Sequence, residues 1–301
     1  MTDRKEAILT KSVLIPERLA HHVSEFENAI NYGLTPIYID YPVEPRPRYG
    51  YGKPPHQALH DILDRNRDRY AKVLQDFLNL KNYLGAIPLN PTDDAREPYW
   101  NNGWVEKLDS AALYCFTAIK SPDLYVEVGS GNSTKFVKRA ILDHRLGTKL
   151  YSIDPRPRAE IDVLCDEIIR QPLETLDLSI FDALGPGDIV AIDSSHRCLT
   201  NSDVTVFFLE VLPHLKSGVL VYIDDIYIPY DYPPGWSGRW YSEQYLLAVL
   251  LLSDSSNYEV ILPATFIARD PDLGVVLDEL WKMSSISTAK GVGNGFWMQV
   301  R

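Results

Sequence analysis

The chain has 301 residues, of which 45% are hydrophobic and 24% are charged, a composition typical of a folded globular protein and not of a disordered one. Thirty basic and 41 acidic residues give a formal net charge of −11, and we expect no nucleic-acid partner because such binding draws on clustered positive charge. Without a long apolar run, a hydrophobic signal segment or a C-x-x-C pair among its three cysteines, the sequence favours a cytoplasmic protein without a membrane partner.

The first third of the sequence predicts a helical and proline-rich extension. Residues 1–35 show moderate helical periodicity. Six prolines and four tyrosines between residues 36 and 55 suppress helix and favour an extended strap, which either covers a substrate pocket or makes a contact in a homo-oligomer. Residues 56–84 have the clearest amphipathic helical pattern. We therefore divide the chain into an N-terminal extension, residues 1–96, and a main domain, residues 97–301.

Strands and helices alternate through the main domain. Strand-like runs end at Val128, Ile153, Ile192 and Ile223, with helical or turn segments between them. This alternation predicts an α/β fold with a parallel sheet and helices on both faces. In such sheets the chemistry lies at the carboxyl ends of the strands.

The first of these strands runs into a glycine-containing turn and then a helix. Gly129 and Gly131 let the backbone turn sharply and approach a ligand, and the polar residues after them leave N–H groups pointing outward. The dinucleotide-binding fingerprint would need a glycine at Thr134 and does not usually carry an acid at Glu127. The turn predicts a nucleotide cradle, with a ligand-free connection as the alternative. The candidate residues are Glu127, Gly129, Ser130, Gly131, Asn132, Ser133 and Thr134.

A second acidic residue follows the next strand. Residues 149–153 read as a strand that ends at Asp154, 23 residues after Gly131. This is near the spacing at which nucleotide-binding folds place a carboxylate on ribose hydroxyls. Asp154 is therefore the candidate ribose ligand.

Polar residues after the two following strands could remove a proton from a bound substrate in two ways. In one, His196 is the base, because its ordinary pKa near 6.5 makes a neutral imidazole available at pH 7, and Asp225 orients it or the substrate. In the other, Asp193, Asp224 and Asp225 bind Mg²⁺, which lowers the pKa of a substrate hydroxyl. A purely structural histidine is the alternative for His196.

Residues 227–241 combine six aromatic side chains with three prolines and two glycines. The segment is either a hydrophobic cover over the sheet edge or a substrate lid. The aromatic side chains favour a flat or sugar-like small-molecule acceptor. The candidate substrate residues are Tyr227, Tyr230, Trp236 and Arg239.

Four segments together resemble a bacterial family of class I S-adenosylmethionine (SAM) dependent methyltransferases: residues 127–134, 152–155, 192–196 and 223–226. The aromatic loop and residues 242–245 extend the likeness, which covers roughly residues 97–301. The resemblance implies a Rossmann-like, seven-stranded sheet with an antiparallel last strand, SAM at the glycine turn with Asp193 among its binding residues, and methyl transfer to a small molecule, expected to be O-methylation.

One departure from that family bears on the catalytic assignment. Similar sequences often have His-Asp where this chain has Asp224 and Asp225, and the change makes the site look more like metal-dependent O-methyltransferases. Two other functions stay open. One is a SAM-binding scaffold without turnover; the other is an NAD-dependent oxidoreductase, which Thr134 and Glu127 disfavour.

Overall fold

The computed structural model describes residue 41 and residues 43–157, 159–253 and 256–301. The chain forms two compact units, residues 1–44 and residues 45–301. The helix predicted within residues 1–35 lies outside the described residues, as does most of the strap before residue 43. The division of the chain at residue 96 stays a prediction.

The second unit alternates helices and strands, as the sequence predicts. Its α-helices are α1 Gln57–Asp64, α2 Arg67–Leu78, α3 Lys81–Gly85, α4 Lys107–Lys120, α5 Asn132–His144, α6 Asp203–Val206, α7 Glu243–Leu252, α8 Ala264–Arg269 and α9 Asp278–Trp281. Its strands are β1 Leu124–Val128, β2 Lys149–Ile153, β3 Glu167–Ile169, β4 Ile189–Ile192, β5 Leu220–Ile223, β6 Tyr258–Pro263 and β7 Phe296–Val300. Within the described ranges, no helix combines the length and apolarity needed to cross a membrane.

The strands form one seven-stranded sheet in the order β3-β2-β1-β4-β5-β7-β6. β1 to β5 pair in parallel, and β7 runs antiparallel to both β5 and β6. All residues of β1, β4 and β5 are buried, as expected for central strands that are covered on both faces. The predicted Rossmann-like sheet with an antiparallel last strand is confirmed. Its topology brings the carboxyl ends of β1, β2, β4 and β5 to one edge.

The amphipathic segment of residues 56–84 is three helices and not one. Asn66 and Asn79 stand at the breaks, and asparagine favours turns because its side chain competes for backbone hydrogen bonds. The apolar face is continuous across the breaks, since Leu63, Leu74 and Phe77 are fully buried in the main core. This segment therefore packs as part of the compact unit that contains the sheet.

The helix expected after β4 is also interrupted. α6 ends at Val206, a π turn covers Phe207–Val211, and a 3-10 turn with Pro213 follows at Leu212–His214. Proline lacks an N–H and cannot continue the α-helical hydrogen-bond ladder. Other 3-10 turns span Asp162–Leu164, Leu173–Thr175, Leu178–Ala183 and Pro234–Arg239.

We predict that Leu74→Ala lowers the free energy of unfolding of the whole unit by about 2–5 kcal/mol, because it leaves a cavity in a fully buried site. Chemical denaturation, followed by tryptophan fluorescence and circular dichroism, measures the change. The matched control on the exposed face of α2 is Gln75→Ala, which should stay within about 0.5 kcal/mol of wild type. A selective loss of helix signal with an unchanged main transition would contradict packing into the common core.

Candidate functional site

The glycine turn after β1 packs against the end of β4. Gly129 has a φ of +81°, and a Cβ at this position would clash with the carbonyl oxygen of Asp193. Only glycine combines that backbone conformation with so close an approach. Around Gly131, in contrast, a Cβ would meet nothing within 4 Å. Gly129 thus fixes the turn, and Gly131 keeps its outer side open.

Glu127 and Thr134 brace the turn from inside. The Thr134 hydroxyl donates to Glu127 Oε2 and accepts the Gly131 N–H at 3.0 Å. Burial raises the pKa of Glu127 to about 7, although the hydroxyls of Ser133 and Thr134 oppose the shift. Neither Glu127 nor Thr134 lines the neighbouring cavity. These two predicted cofactor residues therefore stabilise the turn without lining the cavity.

Asp154 stands at the end of β2, beside the same turn. Its Oδ2 accepts the Ser130 N–H at 2.9 Å, and its Oδ1 accepts the Arg156 N–H at 2.7 Å. The Ser130 hydroxyl also accepts a hydrogen bond from Ser152 at 2.9 Å. These contacts hold the carboxylate at the rim of the cradle, as its spacing in the sequence predicted.

A cavity of about 310 Å³ lies between these elements. Seven of the nine predicted cofactor residues line it: Gly129, Ser130, Gly131, Asn132, Ser133, Asp154 and Asp193. The wall also includes Trp104 and Ser194. The buried Ser194 hydroxyl makes no hydrogen bond in the described part of the chain, and an unsatisfied buried hydroxyl on a cavity wall is suited to a polar ligand. The glycine turn, the Asp154 carboxylate and the Ser194 hydroxyl together fit an adenosyl cofactor.

His196 lies just beyond this cavity among three carboxylates. Its Nδ1 is 2.9 Å from Glu243 Oε2, and its Nε2 is 3.3 Å from Asp193 Oδ1 and 3.5 Å from Asp225 Oδ2. Only 4% of the residue is exposed. His196 and Asp225 both have positive φ, 58° and 54°, a backbone conformation that is uncommon outside glycine, although Asp and His adopt it more often than most residues.

These contacts change the expected protonation state of His196. Burial by itself would lower its pKa, but the hydrogen bonds with Asp193 and Glu243 outweigh burial and raise the pKa well above 6.5. These contacts favour the protonated imidazole over the neutral form expected from the sequence. Nδ1 is hydrogen-bonded to Glu243 and Nε2 faces Asp193 and Asp225, so the imidazole contacts all three carboxylates; its role as the base stays a prediction.

Asp225 is a carboxylate with a raised pKa. Burial raises its pKa to about 6, against the opposing charge of His196. Asn294 Nδ2 donates to Asp225 Oδ1 at 2.8 Å and also contacts the Tyr227 hydroxyl at 3.1 Å. A carboxylate with this pKa is ionised at neutral pH and still accepts a proton readily.

The proposed magnesium ligands do not converge. Asp224 Oδ1 accepts the Tyr222 hydroxyl at 2.6 Å, and burial with the charges of Asp193 and Asp225 raises the pKa of Asp224 well above its ordinary value. The space between Asp193 and Asp225 is taken by His196 Nε2. Across the described ranges, no group of three or more His, Cys, Asp or Glu residues has a geometry that could hold a metal ion. The arrangement does not support the Mg²⁺ alternative.

The aromatic loop packs its rings beside His196. The Tyr241 ring packs against the imidazole at a tilt of 38°, with centroids 4.7 Å apart. The Trp236 ring is 5.7 Å from that of Tyr241 and 5.5 Å from that of Tyr227. Three of the four predicted substrate residues, Tyr227, Trp236 and Arg239, are in this cluster.

The fourth predicted substrate residue, Tyr230, is not part of that ring cluster. Its ring packs against Gly50 and lies under Arg269, with the guanidinium 4.2 Å from the ring centroid. The side chain of Tyr230 thus lies against the strap, apart from the other three candidate residues, and its role in substrate binding stays a prediction. Tyr230 instead lines a separate cavity of about 430 Å³ together with residues of the strap and of α7.

The strap after residue 45 and the start of α7 fix the loop. Asp231 accepts the N–H groups of Arg48 and Tyr49 at 2.5 and 3.1 Å. The buried Gln244 accepts the Tyr227 N–H at 2.9 Å. The loop is therefore held on both sides, as expected for a segment that shapes a pocket.

Two site residues were missed in the sequence, Glu243 and Asn294. Glu243 belongs to the segment 242–245 that extends the family likeness, but only the fold reveals its contact with His196. Asn294 lies between two glycines shortly before the last strand, and that flanking pattern was the one local signal of a special backbone position.

Residues 126–226 match the family of proteins described as a methyltransferase domain. The chain contains a methyltransferase domain. The match runs from β1 to the residues after β5 and includes the glycine turn, Asp154, His196 and Asp225. This match and the sheet order agree with the methyltransferase expected from the sequence.

The individual proteins that resemble this chain have low sequence identity to it. A protein from Archaeoglobus fulgidus, described as uncharacterised, is 28% identical over 157 residues, which cover 48% of this chain and 68% of the relative. A methyltransferase of Podospora anserina bound to S-adenosylhomocysteine (SAH) is 12% identical, with a TM-score of 0.40, over 80% of this chain and 96% of its own. An O-methyltransferase of Bacillus cereus in complex with SAH is also 12% identical, with a TM-score of 0.40, over 76% and 91%. At these scores the likeness of the two structures carries no conclusion about cofactor or substrate.

We predict that the His196 imidazole of this methyltransferase domain stays protonated above pH 7, and that Glu243→Gln lowers its pKa by removing one of three facing carboxylates. Nuclear magnetic resonance titration of ¹⁵N-labelled histidine measures both values. Glu210→Gln, an exposed site away from His196, should leave the titration unchanged. A wild-type imidazole that titrates near pH 6.5 would contradict the charge assignment.

Proposed function

We propose that the protein is an O-methyltransferase that uses SAM to methylate a hydroxyl group of a small molecule. The observation that carries this proposal is the position of Asp193, which lines the cavity and contacts the His196 cluster. The cofactor cradle and a proton-accepting site therefore meet at one residue. Methyl transfer requires such proximity, because the acceptor must lie in line with the methyl group and lose its proton there.

The cradle supplies the groups that a SAM molecule needs. The open side of Gly131 and the helix start at Asn132 and Ser133 suit the methionine part of SAM. The Asp154 carboxylate, which accepts the Ser130 N–H, suits the ribose hydroxyls. When bound, SAM supplies an electrophilic methyl group to a correctly placed nucleophile.

Asp225 is the proposed proton acceptor. Its carboxylate is partly buried, is held by Asn294, and has a pKa of about 6. The protonated His196 keeps Asp193 and Asp225 close together in spite of their like charges. In this arrangement His196 positions the two carboxylates, and Asp225 takes the proton of the acceptor hydroxyl.

The aromatic cluster next to His196 is the proposed acceptor-binding surface. Asn294 connects this cluster to the proposed proton acceptor, because its amide contacts both the Tyr227 hydroxyl and Asp225. Rings that pack edge to face leave flat apolar surfaces, which favour an acceptor with an aromatic or sugar ring. Homo-oligomerisation, the absence of a nucleic-acid partner and a cytoplasmic location stay predictions from the sequence.

We predict micromolar binding of SAH to the full chain, and a loss of about ten- to hundredfold in affinity for Asp154→Ala, because a charged acceptor of ribose hydrogen bonds is removed. Isothermal titration calorimetry measures both. Asp182→Ala removes an exposed acid elsewhere on the surface and should bind SAH like wild type. Tighter binding of NAD than of SAH would overturn the cofactor assignment.

We further predict that methyl transfer has an acidic limb with an apparent pKa near 6 and falls by at least about a hundredfold in Asp225→Asn, because the proton acceptor is lost. Methyl-labelled SAM, incubated with a deproteinised metabolite extract, gives the rate of label incorporation into small molecules. Turnover should survive EDTA. Loss of turnover with EDTA and its return with Mg²⁺ would show a metal mechanism, and SAH binding without any transfer would favour a scaffold.

A further inference from the structure

Two arginines lie together on the aromatic loop side of the site. The Arg239 guanidinium stacks on Trp236 at 3.9 Å from the ring centroid and lies 5.5 Å from that of Tyr241. The Arg197 guanidinium is 5.1 Å from the Tyr241 centroid, and its Nε donates to the Arg239 carbonyl oxygen at 3.1 Å. Both guanidinium groups thus lie near the Tyr241 ring.

These contacts orient the guanidinium groups and leave donors available. Arg197 uses Nε for the Arg239 carbonyl and Nη1 for the Ser195 carbonyl at 3.0 Å. The Arg239 guanidinium lies over the Trp236 ring and donates to no residue of the described chain. Its planar N–H groups form a fork that matches a carboxylate or a phosphate.

These two arginines are held by groups other than carboxylates. The chain has a net charge of −11, and several other arginines pair with carboxylates, among them Arg67, Arg139 and Arg170. Within the described ranges neither Arg197 nor Arg239 has a carboxylate within 4 Å. Rings and carbonyl oxygens hold them, so each guanidinium can still form an ion pair with an anionic group of a ligand.

The pair also adjoins the reacting groups. Arg197 directly follows His196, and Tyr241, on which both arginines lie, stacks on the His196 ring. Arg239 is near enough to Asp225 for its charge to lower the pKa of that carboxyl, against the larger effect of burial.

From this arrangement we infer that the methyl acceptor carries an oxyanion group, a carboxylate or a phosphate, which Arg197 and Arg239 bind while its hydroxyl faces Asp225. The inference rests on the proposed function and adds the chemical class of its substrate. The stacked guanidinium groups would recognise the anion, and the aromatic rings would contact the body of the acceptor. The acidic groups around His196 would keep the anion away from the proton-accepting end.

The test uses three small probes with the full chain saturated with SAH: 4-hydroxybenzoate, phenyl phosphate and the neutral 4-hydroxybenzamide. Ligand-observed nuclear magnetic resonance titration at constant ionic strength gives their dissociation constants. We expect at least one anion to bind about tenfold or more tightly than the amide, because charge-assisted hydrogen bonds are added. The comparison of benzoate with phosphate identifies the preferred oxyanion.

Arg239→Gln and Arg197→Gln should each remove most of that preference and leave SAH affinity unchanged. Arg239→Lys keeps the charge but loses the fork, so it should keep part of the preference. The control is Arg65→Gln, an exposed arginine outside the site, which should behave as wild type. Thermal unfolding checks that each variant is folded.

Equal affinity for all three probes, including no measurable binding of any, overturns the inference, as does an anion preference that persists in both glutamine variants. In either case SAH binding is measured separately. An SAH-binding protein without anion preference loses this inference and keeps the proposed function, whereas a protein that does not bind SAH loses the proposed function itself.

Discussion

One buried imidazole holds the site together. His196 touches carboxylates that come from the end of β4, the end of β5 and the start of α7. Buried carboxylates that face each other without a cation repel and lose hydration, and both effects oppose folding. A protonated ring at their centre offsets both costs. The positions of the loop after β4, the turn after β5 and the first turn of α7 therefore depend on the same contact.

Asp193 connects this charge cluster to the cofactor cradle. Its carbonyl oxygen takes the space that a side chain at Gly129 would need, while its carboxylate reaches both the cavity and His196. A displacement of the β4 end would thus change the cradle and the proton-accepting group together. This coupling is a consequence of pairing β1 with β4 at the centre of the sheet, and it explains why two chemically different tasks share one edge.

The antiparallel last strand completes the site from the far end of the chain. Because β7 runs opposite to β5, with Ile223 paired to Phe296, the start of β7 lies beside the end of β5. Asn294, two residues before β7, thereby reaches Asp225. Its own backbone is fixed by Asp109 of α4, which accepts the N–H groups of Asn294 and Gly295 at 2.7 and 2.9 Å. A parallel last strand would have brought this segment to the opposite edge.

The sequence alone determined the features that depend on neighbouring residues. Strand-turn-helix order, the glycine at 129 and the carboxylate at Asp154 are local patterns, so they predicted the sheet and the cradle. It could not determine the charge of His196, because Glu243 is 47 residues away and a pKa depends on what the fold places around the ring. The same reason applies to Asn294 beside Asp225 and to Tyr230, whose turn points it towards the strap. Distances between remote side chains are decided by tertiary packing, and the chemistry of this site depends on those distances.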